Sequence, residues 1–238
     1  MSSQKGETIR FCYRFKFPDG SEKPFEVMLD KATLRYVSCR QGSAPSWTGL
    51  GFCQCPNCPL DTARVEHCPV AFNLADLIEF FNASLSCDEA DVTIETEERT
   101  YLKRTSLQRG ISSLLGIYMA TSGCPILDKL KPMARHHLPF ASLEETQYRV
   151  LSMYLLAQYF VKKHGEKPDW DLTGLSEIYR EIQVVNKAFC QRLQSLKGKD
   201  AVPNAVVILN VFAEIVPFVL DQQALQKIEG LFGAYLEK

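Results

Sequence analysis

Surplus charge is missing from this sequence: 27 Lys and Arg stand against 28 Asp and Glu, for a net charge of −1. Affinity for nucleic acid or anionic lipid comes mainly from cations concentrated on one face, so neither is an expected partner. A long uninterrupted apolar run is missing as well. Residues 202–220 approach the length of a membrane span, but Pro203, Asn204, Asn210, Glu214 and Pro217 interrupt them, which predicts a buried core helix and no membrane partner. The first seven residues, Met-Ser-Ser-Gln-Lys-Gly-Glu, contain no apolar signal core, so a cytoplasmic location is expected.

Common catalytic signatures are absent too. There is no glycine-rich phosphate loop, no His-Glu-x-x-His, no Gly-x-Ser-x-Gly and no dinucleotide fingerprint. A zinc deaminase would need an upstream His-x-Glu, whereas the first histidine here is His67. No catalytic residue is assigned, and the reading leans away from an enzyme.

What is present suits a folded protein of 238 residues: 46% of them are hydrophobic, with 14 Phe and 9 Tyr to offset chain entropy. Residues 8–17 alternate with period two, which puts Ile9, Phe11, Tyr13, Phe15 and Phe17 on one strand face. Pro18-Asp19-Gly20-Ser21 has the chemistry of a hairpin turn, and residues 25–29 supply the returning strand. A third strand is expected at 34–39 or 47–52, and a fourth over 92–96 continuing at 101–103. Asn73 and Asp76 resemble a capping box ahead of a helix carrying Leu74, Leu77, Ile78, Phe81 and Leu85.

From Ser106 onward the period is helical. Leu107, Ile111, Leu114, Leu115 and Tyr118 form one stripe, ended by Ser122-Gly123. Ser142 with Glu145 caps a long helix that stops at the basic turn before Gly165. A further stripe runs from Leu175 to Leu196, and Leu225, Ile228, Phe232 and Tyr235 predict a last amphipathic helix. The expected fold class is α+β: a small, mostly antiparallel N-terminal sheet with one helix (1–105), then a C-terminal helical bundle (106–238), packed as one unit.

The chemistry concentrates in cysteine. Nine cysteines in a chain expected to stay in the cytoplasm point to thiols or metal ligands rather than disulfides. Cys53, Cys55, Cys58 and Cys68 fall within sixteen positions. Cys55-Pro56-Asn57-Cys58 has the spacing at which one tight turn presents two thiolates to one metal, with the N–H groups of Asn57 and Cys58 as expected donors to the Cys55 sulfur. Cys-Pro occurs four times, at Cys55, Cys58, Cys68 and Cys124. Proline suits the first turn of a helix, so Cys68 and Cys124 are expected at helix N-termini, where the dipole favours a thiolate. The predicted site is therefore four sulfurs from Cys55, Cys58, Cys68 and Cys124, with Cys53 and His67 as reserve ligands. Reduced cysteine is also a common small core residue, which is the competing explanation. Closed four-sulfur sites suit zinc, and the same ligands can hold an iron–sulfur cluster.

The run Met133-Ala134-Arg135-His136-His137-Leu138-Pro139-Phe140 also invites attention. Adjacent helical residues point about 100° apart, so at most one histidine can face a site, and His137 beside the apolar residues is assigned a buried role.

Taken jointly, Cys-Pro-Asn-Cys-Pro-Leu, His-Cys-Pro-Val-Ala, Ser-Gly-Cys-Pro-Ile, His-Leu-Pro-Phe and Tyr-Leu-Leu-Ala-Gln-Tyr-Phe resemble a family of uncharacterised bacterial proteins with repeated Cys-Pro-aliphatic sites. The resemblance covers most of the chain and implies a bacterial cytoplasmic setting, with no established activity to transfer. The expectation is a metal-stabilised binding or regulatory protein with zinc as cofactor and an unknown protein partner. The alternative is an iron–sulfur or thiol-based redox sensor.

Overall fold

The computed structural model describes residues 7–38, 43–219 and 222–236. Strand β1, Thr8–Lys16, follows the alternation: Ile9, Phe11, Tyr13 and Phe15 are buried, while Arg10 and Arg14 face solvent. The turn after it closes because Gly20 adopts a φ of 85° and the Asp19 carboxylate accepts from the Ser21 N–H and hydroxyl. Strand β2, Glu22–Asp30, pairs antiparallel with β1, with Tyr13 opposite Phe25.

Three further elements follow a long cysteine-bearing loop: helix α1, Pro69–Phe81, and strands β3, Glu89–Glu95, and β4, Thr100–Ser106. Strand β3 lies against the free edge of β1, so the sheet runs β2-β1-β3-β4 and every pairing is antiparallel. The expected fourth strand is thus a hairpin of two strands, closed by Thr96, whose hydroxyl accepts from the Arg99 N–H. The expected third strand does not form among the described residues. Tyr36 makes one bridge with Leu29 and donates its N–H to Thr121, while residues 46–48 form a single 3₁₀ turn. Val37 N–H donates to Met28 of β2 and the Arg35 carbonyl accepts from Asp30 N–H, but the pairing goes no further than this bridge, and residues 46–50 find partners across the loop itself, where Leu50 N–H reaches Glu66 and the Thr48 carbonyl accepts from Cys68 N–H.

Helix α1 starts four residues ahead of the expected cap. Its N-cap is Cys68 with Pro69 in the first turn, and Val70 and Ala71 already belong to the buried face. Asn73 lies inside the helix and donates to the Ser122 carbonyl. The helix ends at Phe81, leaving Leu85 exposed.

Helix α2, Leu107–Thr121, leaves β4 without an intervening loop and lies on the sheet. Gly110 permits that approach, since a Cβ there would stand 2.8 Å from a Phe15 ring carbon. A 3₁₀ turn over Leu127–Leu130 leads into the short helix α3, Lys131–Arg135. Helix α4, Leu143–Lys163, begins with the predicted reciprocal Ser142–Glu145 box and ends before Gly165, whose φ is 86°. Helix α5, Thr173–Gln194, buries Leu175, Tyr179, Ile182, Val185, Phe189 and Leu193.

Helix α6, Ala201–Val219, packs mainly against α5 and α2. It is less enclosed than its all-round apolar sequence predicts: Val207 and Val211, one turn apart, are 44% and 45% exposed. Two principal neighbours cover only part of a helix circumference. The last expected helix divides into α7, Gln222–Glu229, a 3₁₀ turn, and α8, Gly233–Leu236. Gly230 and Gly233 interrupt the stripe, and Leu231 and Tyr235 are exposed. Among the described residues, one buried cluster draws on the sheet, on α1 and α2, and on α4 to α6. Among the described residues, no helix is long and apolar enough to cross a membrane.

Candidate functional site

Three separate segments carry the four predicted sulfurs. The turn at Cys55 closes because the Cys58 N–H donates to the Cys55 carbonyl at 3.0 Å. This corrects the expected geometry, in which that N–H would serve the Cys55 sulfur. Cys68 is fixed as the N-cap of α1 by its own N–H bond to Thr48. Cys124 follows the end of α2, where its N–H donates to the Ser122 hydroxyl. It precedes a 3₁₀ turn whose N-cap is Ile126, so the expected α-helical N-terminus is replaced by a tighter one. The electrostatic effect survives, because the Ile126 and Leu127 N–H groups donate toward the Cys124 sulfur and favour its thiolate.

These four thiols are electrostatic neighbours. Burial, and after it the neighbouring Cys68, Cys124 and Cys58, together push the Cys55 thiol up to about 12, since one thiolate opposes ionisation of another. Burial also raises Cys124, against the pull of its two N–H donors, and Cys68 and Cys58 act on it in the same direction as burial. Among the described residues no group of three or more His, Cys, Asp or Glu side chains stands in a metal-coordinating arrangement. The molecule therefore holds four neighbouring thiols, partly buried and not drawn together around a common centre.

The reserve ligands, Cys53 and His67, have different settings. Cys53 is exposed, with a φ of 48°. His67 meets the Thr48 hydroxyl with Nδ1 at 3.0 Å and lies with Nε2 3.5 Å from the Glu66 carboxylate. Cys12 is buried in β1, Cys87 is exposed and Cys190 is partly buried; Cys39 lies outside the described residues.

Two residues of α5 hold the cysteine loop, and sequence reasoning missed both. Arg192, only 2% exposed, donates Nη1 to the Trp47 and Gly49 carbonyls at 2.7 and 2.9 Å, and reaches the Cys53 carbonyl with Nη2 at 3.5 Å. No carboxylate pairs with it among the described residues, and its positive charge favours ionisation of Cys55. Three turns earlier in α5, Glu181 accepts from the Asn57 amide through both its carbonyl, at 3.0 Å, and its carboxylate, at 2.6 Å. The available signal was an arginine at a position that continues the Ile182, Val185, Phe189 stripe, where a charge needs a buried partner.

His137, assigned a buried role, is only partly buried. Its Nε2 pairs with the Tyr13 hydroxyl, and burial pulls its pKa down to about 3, so the ring stays neutral. His136 beside it is exposed.

The fold is that of an α+β protein, with four neighbouring thiols where the loop after β2 meets the end of α2. The chain belongs to the family described as a domain of unknown function, DUF6901, whose model matches residues 11–233 and for which no activity is known. No curated protein and no solved structure matches it.

Proposed function

We propose that this chain is a zinc-stabilised binding or regulatory module rather than an enzyme. Cys55, Cys58, Cys68 and Cys124 are its ligands, joining the loop after β2 to the segment after α2. The observation that carries this reading is the neighbourhood of four thiols from three segments beside a buried, carboxylate-free Arg192. Four thiolates around a divalent cation leave net negative charge, and a desolvated guanidinium is a suitable counter-charge. Protonated thiols have no reason to converge, so metal uptake includes loss of their protons and closure of the Cys55–Cys58 turn onto Cys68 and Cys124. The near-balance of charge supports a protein partner over a nucleic acid, and the family resemblance supports a bacterial cytoplasmic setting.

Elemental analysis of protein purified without oxygen tests the reading. One zinc per chain and no visible absorption are expected. Iron with visible absorption would replace zinc by the iron–sulfur alternative, and a protein containing neither metal would sink the proposal. Cys58→Ser, Cys68→Ser and Cys124→Ser should each release metal, whereas Cys87→Ser and Cys190→Ser should retain it.

A further inference from the structure

A second feature lies apart from the thiols. Helices α2, α4, α5 and α6 and the segment from Leu127 to Ser142 enclose an open cavity of about 650 Å³, within the range of small-molecule sites. Its polarity is graded along α2. Toward the start of that helix the lining includes Arg109, Ser112 and Ser113; toward its end it includes Gly116, Ile117, Met119 and Ala120. Gly116 helps keep the apolar end open, since a Cβ there would already stand 3.7 Å from a Leu209 methyl. Leu209, Phe212 and Ile215 of α6 complete the apolar wall.

The charges on this lining are of one sign. Lys103, Arg109 and Arg149 line the cavity, and no Asp or Glu does. Lys103 lies over the Phe140 ring, and neither it nor Arg109 makes an ion pair among the described residues. Arg149 spends Nη2 on the Met133 and His136 carbonyls, each at 2.9 Å, and keeps Nη1 and Nε without a partner among the described residues. Glu145 is the carboxylate that acts on Arg149 and Lys103, but it is turned to the Ser142 N–H at the start of α4. His137, also on the lining, stays neutral against Tyr13.

A lining that is apolar between α2 and α6 and elsewhere carries three cations and no acid selects an amphipathic anion. We infer that this cavity binds a single-chain aliphatic carboxylate, its chain between α2 and α6 and its head group at Lys103, Arg109 and Arg149. The inference goes beyond the metal reading and does not depend on it, because none of the four thiols lines the cavity.

Calorimetric titration of the full chain with dodecanoate below its micellar concentration provides the test, with dodecanol and dodecyltrimethylammonium as head-group controls. Saturable one-to-one binding of dodecanoate is expected, at least tenfold tighter than either control. The double variant Lys103→Gln/Arg109→Gln changes two exposed residues and should bring dodecanoate to the level of dodecanol. Gly116→Phe, checked by circular dichroism for a native fold, should abolish binding of both. Absence of saturable dodecanoate binding, equal affinity for the alcohol, or an unchanged affinity in the double variant would each overturn the inference. The double variant keeps the test decisive if Gly116→Phe does not fold.

Discussion

Replacing Arg192 by Met tests the link between α5 and the cysteine loop most directly. Methionine keeps much of the apolar stem and deletes the fork. The Trp47 and Gly49 carbonyls then lose charge-assisted bonds of 2.7 and 2.9 Å, each worth about 1.5–3 kcal/mol. The 3.5 Å contact to Cys53 adds little at that length. Relief from burying a cation offsets part of the loss, which leaves a net destabilisation of about 2–5 kcal/mol. In a chain of this size that corresponds to a fall in melting temperature of roughly 4–20 °C. Urea unfolding followed by tryptophan fluorescence, with a chelator present so that metal does not contribute, gives the number. Arg192→Lys should recover only part of it, because one ammonium cannot reproduce the fork. An Arg192→Met protein within about 1 kcal/mol of the parent, as for an ordinary surface substitution, would refute the anchoring role.

Acid stability should report His137. Its folded pKa of about 3 lies below the ordinary 6.5, so the unfolded chain binds the extra proton between those values. Stability is then full above about 6.5 and falls by up to ~1.4 kcal/mol per pH unit toward 3; His137→Gln should flatten that limb in equilibrium unfolding. Cys55 has the opposite dependence in the metal-free protein, being raised from 9.0 to about 12: its contribution is full below about 9 and lost as pH rises toward 12, and Cys55→Ser should remove the loss. Two glycines of α2 should respond with opposite signs. Gly110→Ala drives a Cβ to 2.8 Å from Phe15 and 3.0 Å from Val92 and should cost about 1–3 kcal/mol. Gly116→Ala meets Leu209 at an ordinary 3.7 Å and should gain up to about 1 kcal/mol of helix stability. Equal melting shifts for the two would contradict the close approach of α2 to the sheet.

The legible parts of this protein were those settled by neighbours in sequence. Period two in residues 8–17 specified β1 and its buried face, because alternate side chains point to opposite sides of a strand. Ser142 and Glu145 marked the start of α4, because a cap is satisfied within one turn. Spacing and the repeated Cys-Pro step are what lead to the proposal that Cys55, Cys58, Cys68 and Cys124 act together. Tertiary structure decided what depended on distant partners. Residues 34–38 and 46–50 have strand-like composition, yet the first makes only a single bridge with β2 before Tyr36 turns its N–H to the end of α2, and the second bonds across its own loop. The all-round apolar sequence of α6 could not reveal which side its neighbours leave open at Val207 and Val211. Arg192 is the clearest case. Its burial depends on carbonyls up to 145 positions away, and a buried cation is tolerated only where the folded chain supplies those acceptors.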